Sequence, residues 1–259
     1  MEEILLEVKK LTKYFGGLKA IDDVSFRIKR GEIFSIIGPN GAGKTTLFNM
    51  ITGFLTPTEG EIFFQGHKIS GLKPYQIARL GVGRTFQLTT LFMSNTVLEN
   101  LIIGQRETRQ LGVFQSIFGV RKREKSRQEA EARAHAIAEF VGLGNQKNTP
   151  AALLPHGAQK QLSIGLALSG DPELILLDEP LGGVDMDEID AIIELIKKIR
   201  ESGKTICLIE HKMRVVMNIS DRILALSYGK KLIEDLPEVV ASNEDVIASY
   251  LGDRYAACG

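Results

Sequence analysis

GPNGAGKTT, residues Gly38–Thr46, follows the apolar run EIFSII (Glu32–Ile37) and precedes LFNMITGF (Leu47–Phe54), which has helical character. A glycine-rich loop between a strand and a helix is the phosphate-binding loop pattern in the context that gives it meaning. Gly41 and Gly43 let backbone N–H groups turn inward around phosphate oxygens, and the helix N-terminus that follows adds a positive partial charge. Lys44 is placed to neutralise β and γ phosphates, and Thr45 offers a hydroxyl to Mg²⁺. Asn40, Ala42 and Thr46 complete the candidate loop. The competing reading, a glycine-rich turn that matches by accident, does not account for the strand before it and the helix after it.

Working outward, ELILLDEP (Glu173–Pro180), TICLIEH (Thr205–His211) and RILALSYG (Arg222–Gly229) also read as strands, apolar almost throughout as strands covered on both faces must be. Between the first two lies DEIDAIIELIKKIRESGK, with Ile189, Ile192, Ile193, Ile196 and Ile199 at helical spacing and Gly203 closing it. Strand, helix, strand at this length predicts parallel-sheet units. The first thirty residues and EGEIFFQGHKIS alternate instead, with Gly-Gly and Asp-Asp turns expected, which predicts an antiparallel flank. From about residue 88 to 170 the pattern turns helical and polar, with Ala130, Ala134, Ile137, Ala138 and Val141 on one side of a helix. The basic run Arg121–Arg127 reads as a solvated face. The expectation is an α/β fold: a phosphate-loop nucleotide-hydrolase core with a mostly parallel sheet, an N-terminal antiparallel β flank and an inserted helical lobe. All of it forms one domain over 1–259, with the lobe at about 88–170.

Composition narrows the function. Of 259 residues, 32 are Lys or Arg and 32 are Asp or Glu, so the basic excess of a nucleic-acid-gripping surface is missing. The 44% hydrophobic content supplies a core. Two cysteines, Cys207 and Cys258, fit a reducing compartment and no metal pattern. MEEILLEVKK lacks the apolar core of a signal peptide, and no run approaches the eighteen or so residues that span a bilayer. A membrane role would need a partner to do the spanning.

Asp178 follows four apolar residues, so it is expected at the carboxyl end of a buried strand, where a carboxylate can hold Mg²⁺ through water. The adjacent Glu179 can polarise an attacking water. His211 ends a second strand and could contact the γ-phosphate and orient that water, against the plainer reading of a structural histidine. Gln87 of RTFQ stands at the entry to the helical lobe, where its amide could reach Mg²⁺ or the water.

The order of phosphate loop, Gln87, LLPHGAQKQL, Asp178-Glu179, GGVD and His211 resembles the nucleotide-binding subunits of ABC transporters, from about Leu5 to Gly252. FGGLKAIDDVSF, NMITGFLTPTEGEI, IARLGVGRTFQ, the long lobe insert, LIEHKMRVVMNISDRILAL and DVIASYLGD look like its Liv-type importer branch, which serves branched-chain amino acids and relatives such as urea. Glu210-His211, in place of a threonine-histidine pair, points the same way.

The resemblance implies ATP and Mg²⁺ as ligands and a head-to-tail dimer in which ATP is clamped between one subunit's phosphate loop and the other's signature loop. It implies transmembrane permease partners, a second ATPase subunit in a heterodimer, an extracytoplasmic solute-binding protein acting indirectly, and a peripheral place on the cytoplasmic face of the membrane. Phe15 falls where the family stacks an aromatic on adenine, with Tyr14 second, and Asp185 of GGVD joins the nucleotide contacts. The family's Leu-Ser-Gly-Gly-Gln signature aligns with Leu154, Pro155, His156, Gly157 and Ala158, followed by Gln159. Leu154 and Gly157 are retained, while Pro155 brings neither a hydroxyl nor an N–H. The rival readings are an ABC exporter or lipid-extraction ATPase, a soluble ABC ATPase on ribosomes or DNA, and a nucleotide-binding regulator with little turnover. A single phosphate loop and the lack of a long coiled coil count against the ribosome and DNA versions.

Overall fold

A hairpin across Gly16–Gly17 joins β1 (Ile4–Phe15) to β2 (Leu18–Lys29), and β4 (Glu59–Phe64) and β5 (His67–Lys68) extend it into an antiparallel sheet ordered β2-β1-β4-β5. The structure is a computed structural model that describes residues 3–85, 91–105 and 120–256, with the backbone alone for 120–126 and 251–256. The antiparallel flank is as expected, with one correction. Asp22-Asp23, expected as a turn, lies inside β2. Asp23 takes φ +52°, the register with β1 shifts there, and the Asp23 N–H donates to Thr12 Oγ1 at 3.1 Å. Aspartate tolerates the left-handed region, so the chain bulges and kinks without ending the strand.

The second sheet runs β10-β9-β3-β8-β7-β6, from β3 (Ile33–Ile37), β6 (Val82–Arg84), β7 (Leu174–Asp178), β8 (Thr205–Ile209), β9 (Arg222–Ser227) and β10 (Lys230–Asp235). All neighbours are parallel except the β9–β10 hairpin. Because side chains alternate across a strand, Leu174, Leu176, Cys207, Ile209, Leu224 and Leu226 pack toward the antiparallel sheet and α1 (Lys44–Ile51). Ile175, Leu177, Ile206 and Leu208 point the opposite way. There they meet α6 (Met186–Glu201), whose buried stripe of Ile189, Ile192, Leu195, Ile196 and Ile199 is the helical pattern read from sequence. Ser202 caps α6, and Gly203 follows at φ +86°.

The helical segment comprises α3 (Val97–Gly104), α4 (Val120–Phe140) and α5 (His156–Leu168). Thr96 and Glu99 form a reciprocal capping box at the start of α3. Ala134, Ala138 and Val141 pack with Val97, Leu101 and Leu162, in one apolar cluster with Leu177 and Leu181 beside β7. Small alanines on α4 let the three helices approach closely. A third layer is built from α7 (Met213–Ile219), α8 (Pro237–Ala241) and α9 (Glu244–Ala256) against Ile223 and Ala225. The short α2 (Pro74–Leu80) leads into β6. Among the described residues, no helix is long and apolar enough to cross a membrane.

Candidate functional site

The carboxyl ends of β3, β7 and β8 converge on one cleft of about 560 Å³. Its lining includes Asn40, Gly41, Gly43, Lys44, Thr45, Thr46, Glu179 and His211, so three stretches widely separated in sequence meet there. Leu18, Lys19, Ala20 and Tyr228 form the rest of the wall, and sequence reasoning did not select them.

The loop is shaped by backbone geometry. Gly38, Gly41 and Gly43 all have positive φ, and a Cβ on Gly43 would lie 2.6 Å from the Ala20 carbonyl oxygen. Gly43 starts α1, whose first turn carries no acidic side chain, so its N-terminal amides remain suited to an anion. Lys44 is 6% exposed and donates from Nζ to the Gly38 and Pro39 carbonyls at 2.7 and 2.9 Å. The loop thus folds around its own cation. Ala42 is buried behind the loop and does not line the cleft.

Glu179 Oε1 lies 2.9 Å from His211 Nε2. Two further features hold this pair. Glu179 takes φ +48°, a left-handed conformation that costs a non-glycine residue about 1–3 kcal/mol and recurs at functional sites. Its N–H donates to the Ile209 carbonyl at 2.9 Å, tying the end of β7 to the end of β8. Glu210, read from sequence as a branch marker, is 2% exposed. It accepts the Leu181 N–H at 2.7 Å on Oε1 and the His211 N–H at 2.9 Å on Oε2. It therefore clamps the loops that carry Glu179 and His211.

Asp178 ends β7 on the side that faces α1, and its Oδ2 pairs with Arg84 at 2.9 Å, both side chains being almost fully buried. Arg84 also donates to Asn49 Oδ1 at 2.7 Å and Thr52 Oγ1 at 3.1 Å on α1 and its cap. Burial is the main influence lowering the Arg84 pKa, and the hydrogen bond to Asp178 opposes it. Nothing in the sequence singled out Arg84, because a buried ion pair between residues 94 positions apart has no local pattern. Asp178 Oδ1 is buried with no hydrogen-bond partner among the described residues. Asp178 itself does not line the cleft, which Thr45 and Glu179 do; its orphaned oxygen and the Thr45 hydroxyl are each of the oxygen-donor kind that Mg²⁺, a hard cation that retains waters, takes. Gln87 lies outside the described residues.

The remaining expected residues sit apart from this cleft. Phe15 ends β1 opposite Leu18, with Lys13 Nζ 5.4 Å from its ring centre, and neither Phe15 nor Tyr14 lines the cleft. Leu154 is buried, Pro155 is the cap of α5, and His156 is exposed. Asp185 is the exposed cap residue of α6. The N–H of Gly157, retained from the family signature, donates to Glu188 Oε2 at 3.1 Å. A Cβ on Gly157 would lie 2.6 Å from the Glu188 carboxyl carbon, so glycine here admits an internal carboxylate.

A polyphosphate cradle outside the carboxyl ends of parallel strands, with a carboxylate–imidazole pair beside it, defines a P-loop nucleotide hydrolase. The family model described as ABC transporter matches residues 21–182. The high-affinity branched-chain amino acid transport ATP-binding protein LivG of Escherichia coli (strain K12) is 42% identical over 254 residues, 98% of this chain and 100% of that protein. BraF of Pseudomonas aeruginosa, with the same description, is 41% identical over the same shares. A solved ATP-binding cassette of an ABC transporter, in its ADP conformation, superposes with a TM-score of 0.84 at 32% identity, covering 96% of this chain and 99% of that one. The chain belongs to the ABC transporter family, as an ATP-binding cassette that hydrolyses ATP.

Proposed function

We propose that this chain powers the import of branched-chain amino acids or related small polar solutes, the service named for its LivG and BraF relatives. The carrying observation is the 2.9 Å Glu179–His211 contact within the cleft that also holds Lys44 and Thr45. In this reading the loop amides and Lys44 bind the β and γ phosphates of ATP, and Thr45 and Asp178 hold Mg²⁺. The ion, when bound, neutralises charge developing on the phosphoryl oxygens. Glu179 takes the proton of the attacking water, while His211 keeps that carboxylate and the water in line. Gln87 and the helical segment, read as a lobe over about 88–170 of a single cassette domain, convey the resulting motion to the permease.

The chain lies peripherally on the cytoplasmic face, bound to permease subunits, and pairs with a second, different ATPase subunit. In that assembly the start of α5 and the exposed Asp185 lie toward that subunit's nucleotide, with Leu154 buried beneath them and the Gly157 N–H available only once Glu188 gives it up. Pro155 favours the heterodimer, because a homodimer would place it in both sites. The test is reconstitution in proteoliposomes with the permease and binding-protein products of neighbouring genes. ATP-dependent uptake of radiolabelled leucine or a related solute, lost in Glu179→Gln, is expected. Outward movement of substrate, or uptake unaffected by that substitution, would sink the proposal.

A further inference from the structure

The β9–β10 hairpin closes through a two-residue turn, Tyr228–Gly229, between the paired residues Ser227 and Lys230. Both turn residues have positive φ, +47° and +76°. A type I′ turn has this geometry, and Asn-Gly is its favoured sequence because asparagine tolerates the left-handed region while bulky residues do not. Tyr228 therefore occupies a position whose fold requirement it meets poorly. Packing does not explain its presence, since it is 87% exposed.

Its placement does. The turn is fastened on one side to the phosphate loop and on the other to β2. The Gly229 N–H donates to the Ala42 carbonyl of the phosphate loop at 3.1 Å, and the Asp22 N–H donates to the Gly229 carbonyl at 2.8 Å. A Cβ on Gly229 would lie 2.7 Å from the Ala20 carbonyl oxygen, so only glycine lets the turn sit so close to β2. The result is an aromatic side chain on the wall of the phosphate-loop cleft, sharing that wall with Leu18, itself 68% exposed. Two large apolar side chains left in water beside a phosphate cradle form a surface for the apolar part of a phosphorylated ligand.

We propose that Tyr228, with Leu18, is a nucleobase-contacting element of this site, its ring held against the purine by the strained turn anchored to Ala42. The proposal rests on the reading of the cleft as an ATP site and adds to it the aromatic that the cleft itself presents. Base–aromatic contact is tolerant of sequence and geometry because every base offers a π-face.

The test is equilibrium binding of ATP and of inorganic tripolyphosphate to the purified chain by isothermal titration calorimetry. Tyr228→Asn suits the turn better than tyrosine does, so its thermal midpoint should equal or exceed the parent's, which separates lost contact from lost fold. Expected is a roughly five- to hundredfold weaker ATP affinity, the range for one lost base–aromatic stack. Tripolyphosphate affinity should stay unchanged, and Tyr228→Phe should retain both. Unchanged ATP affinity in Tyr228→Asn, or equal weakening of both ligands, overturns the role of Tyr228. So does a selective ATP defect in Phe15→Ala that Tyr228→Asn lacks. If Lys44→Ala leaves tripolyphosphate binding intact, the phosphate-site reading falls, and this proposal falls with it.

Discussion

Glu179 and Asp178 are neighbours in sequence with different surroundings. Asp178 is 2% exposed and neutralised by Arg84, whereas Glu179 reaches the cleft beside His211. Glu179→Gln keeps the shape but removes the carboxylate proposed as the proton acceptor. Single-turnover ATP hydrolysis should fall about 10²- to 10⁴-fold, the usual contribution of a general base, with ATP affinity retained. Arg84→Met leaves a buried carboxylate without its cation and should destabilise the fold by about 3–5 kcal/mol, read from urea unfolding. At the start of α5, Glu188→Gln removes the charge that now sits on the Gly157 amide. Loss of that charge–dipole term should lower stability by about 0.3–1 kcal/mol. A partner's nucleotide approaching α5 would then meet less repulsion, so ATP-dependent subunit association should tighten, measurable by analytical ultracentrifugation. The pairing of Glu179 with His211 was legible only as two candidate residues. The loops that carry them, after β7 and β8, are joined by the two carboxylate oxygens of Glu210.

The elements divide by how locally they are encoded. β3, β7, β8 and β9 and the stripe of α6 were legible from apolar runs and spacing, because each buries its residues in a period set by its own backbone. β6, with three residues, and β10, whose KKLIED has no buried position, give no such pattern and are defined by their pairing with β7 and β9. The phosphate loop is encoded by glycine and then held by its neighbours. Gly43→Ala would put a methyl group against the Ala20 carbonyl at a φ of +100°. Nucleotide binding should be lost and the thermal midpoint lowered, checked by calorimetry and by titration with a fluorescent ATP analogue. Unaltered binding would mean that the β2–α1 approach does not shape the cradle.

Two sheets and the helical segment place the phosphate loop and α5 in one chain, yet Leu154, Gly157 and Asp185 do not line the cleft that Lys44 and Glu179 share. In the head-to-tail assembly proposed above, each nucleotide would be shared between two subunits. In a heterodimer, Pro155→Ser should alter hydrolysis at the partner's nucleotide and leave the Lys44–Glu179 site of this chain unchanged. Single-turnover assays with one catalytic carboxylate replaced at a time would separate the two. Equal effects at both sites, or full transporter-supported activity of the chain alone, would rule out the heterodimer.

By itself the sequence determined the phosphate loop, the four buried strands, the antiparallel flank and the acidic pair at Asp178-Glu179. Each is written in consecutive residues, through glycine geometry, apolar period and strand ends. Tertiary structure alone decided that Asp22-Asp23 bulges rather than turns, because β1 pairs along both sides of it. It decided that Arg84 neutralises Asp178, that Glu210 ties the loop after β7 to the loop after β8, that Glu188 occupies the Gly157 amide, and that Tyr228 stands on the cleft wall. The pairs Arg84–Asp178, Leu181–Glu210 and Gly157–Glu188 join residues 94, 29 and 31 positions apart, and no periodicity records them. Their energies come from desolvated charge and fixed hydrogen-bond geometry, which exist only once the strands have brought the partners together.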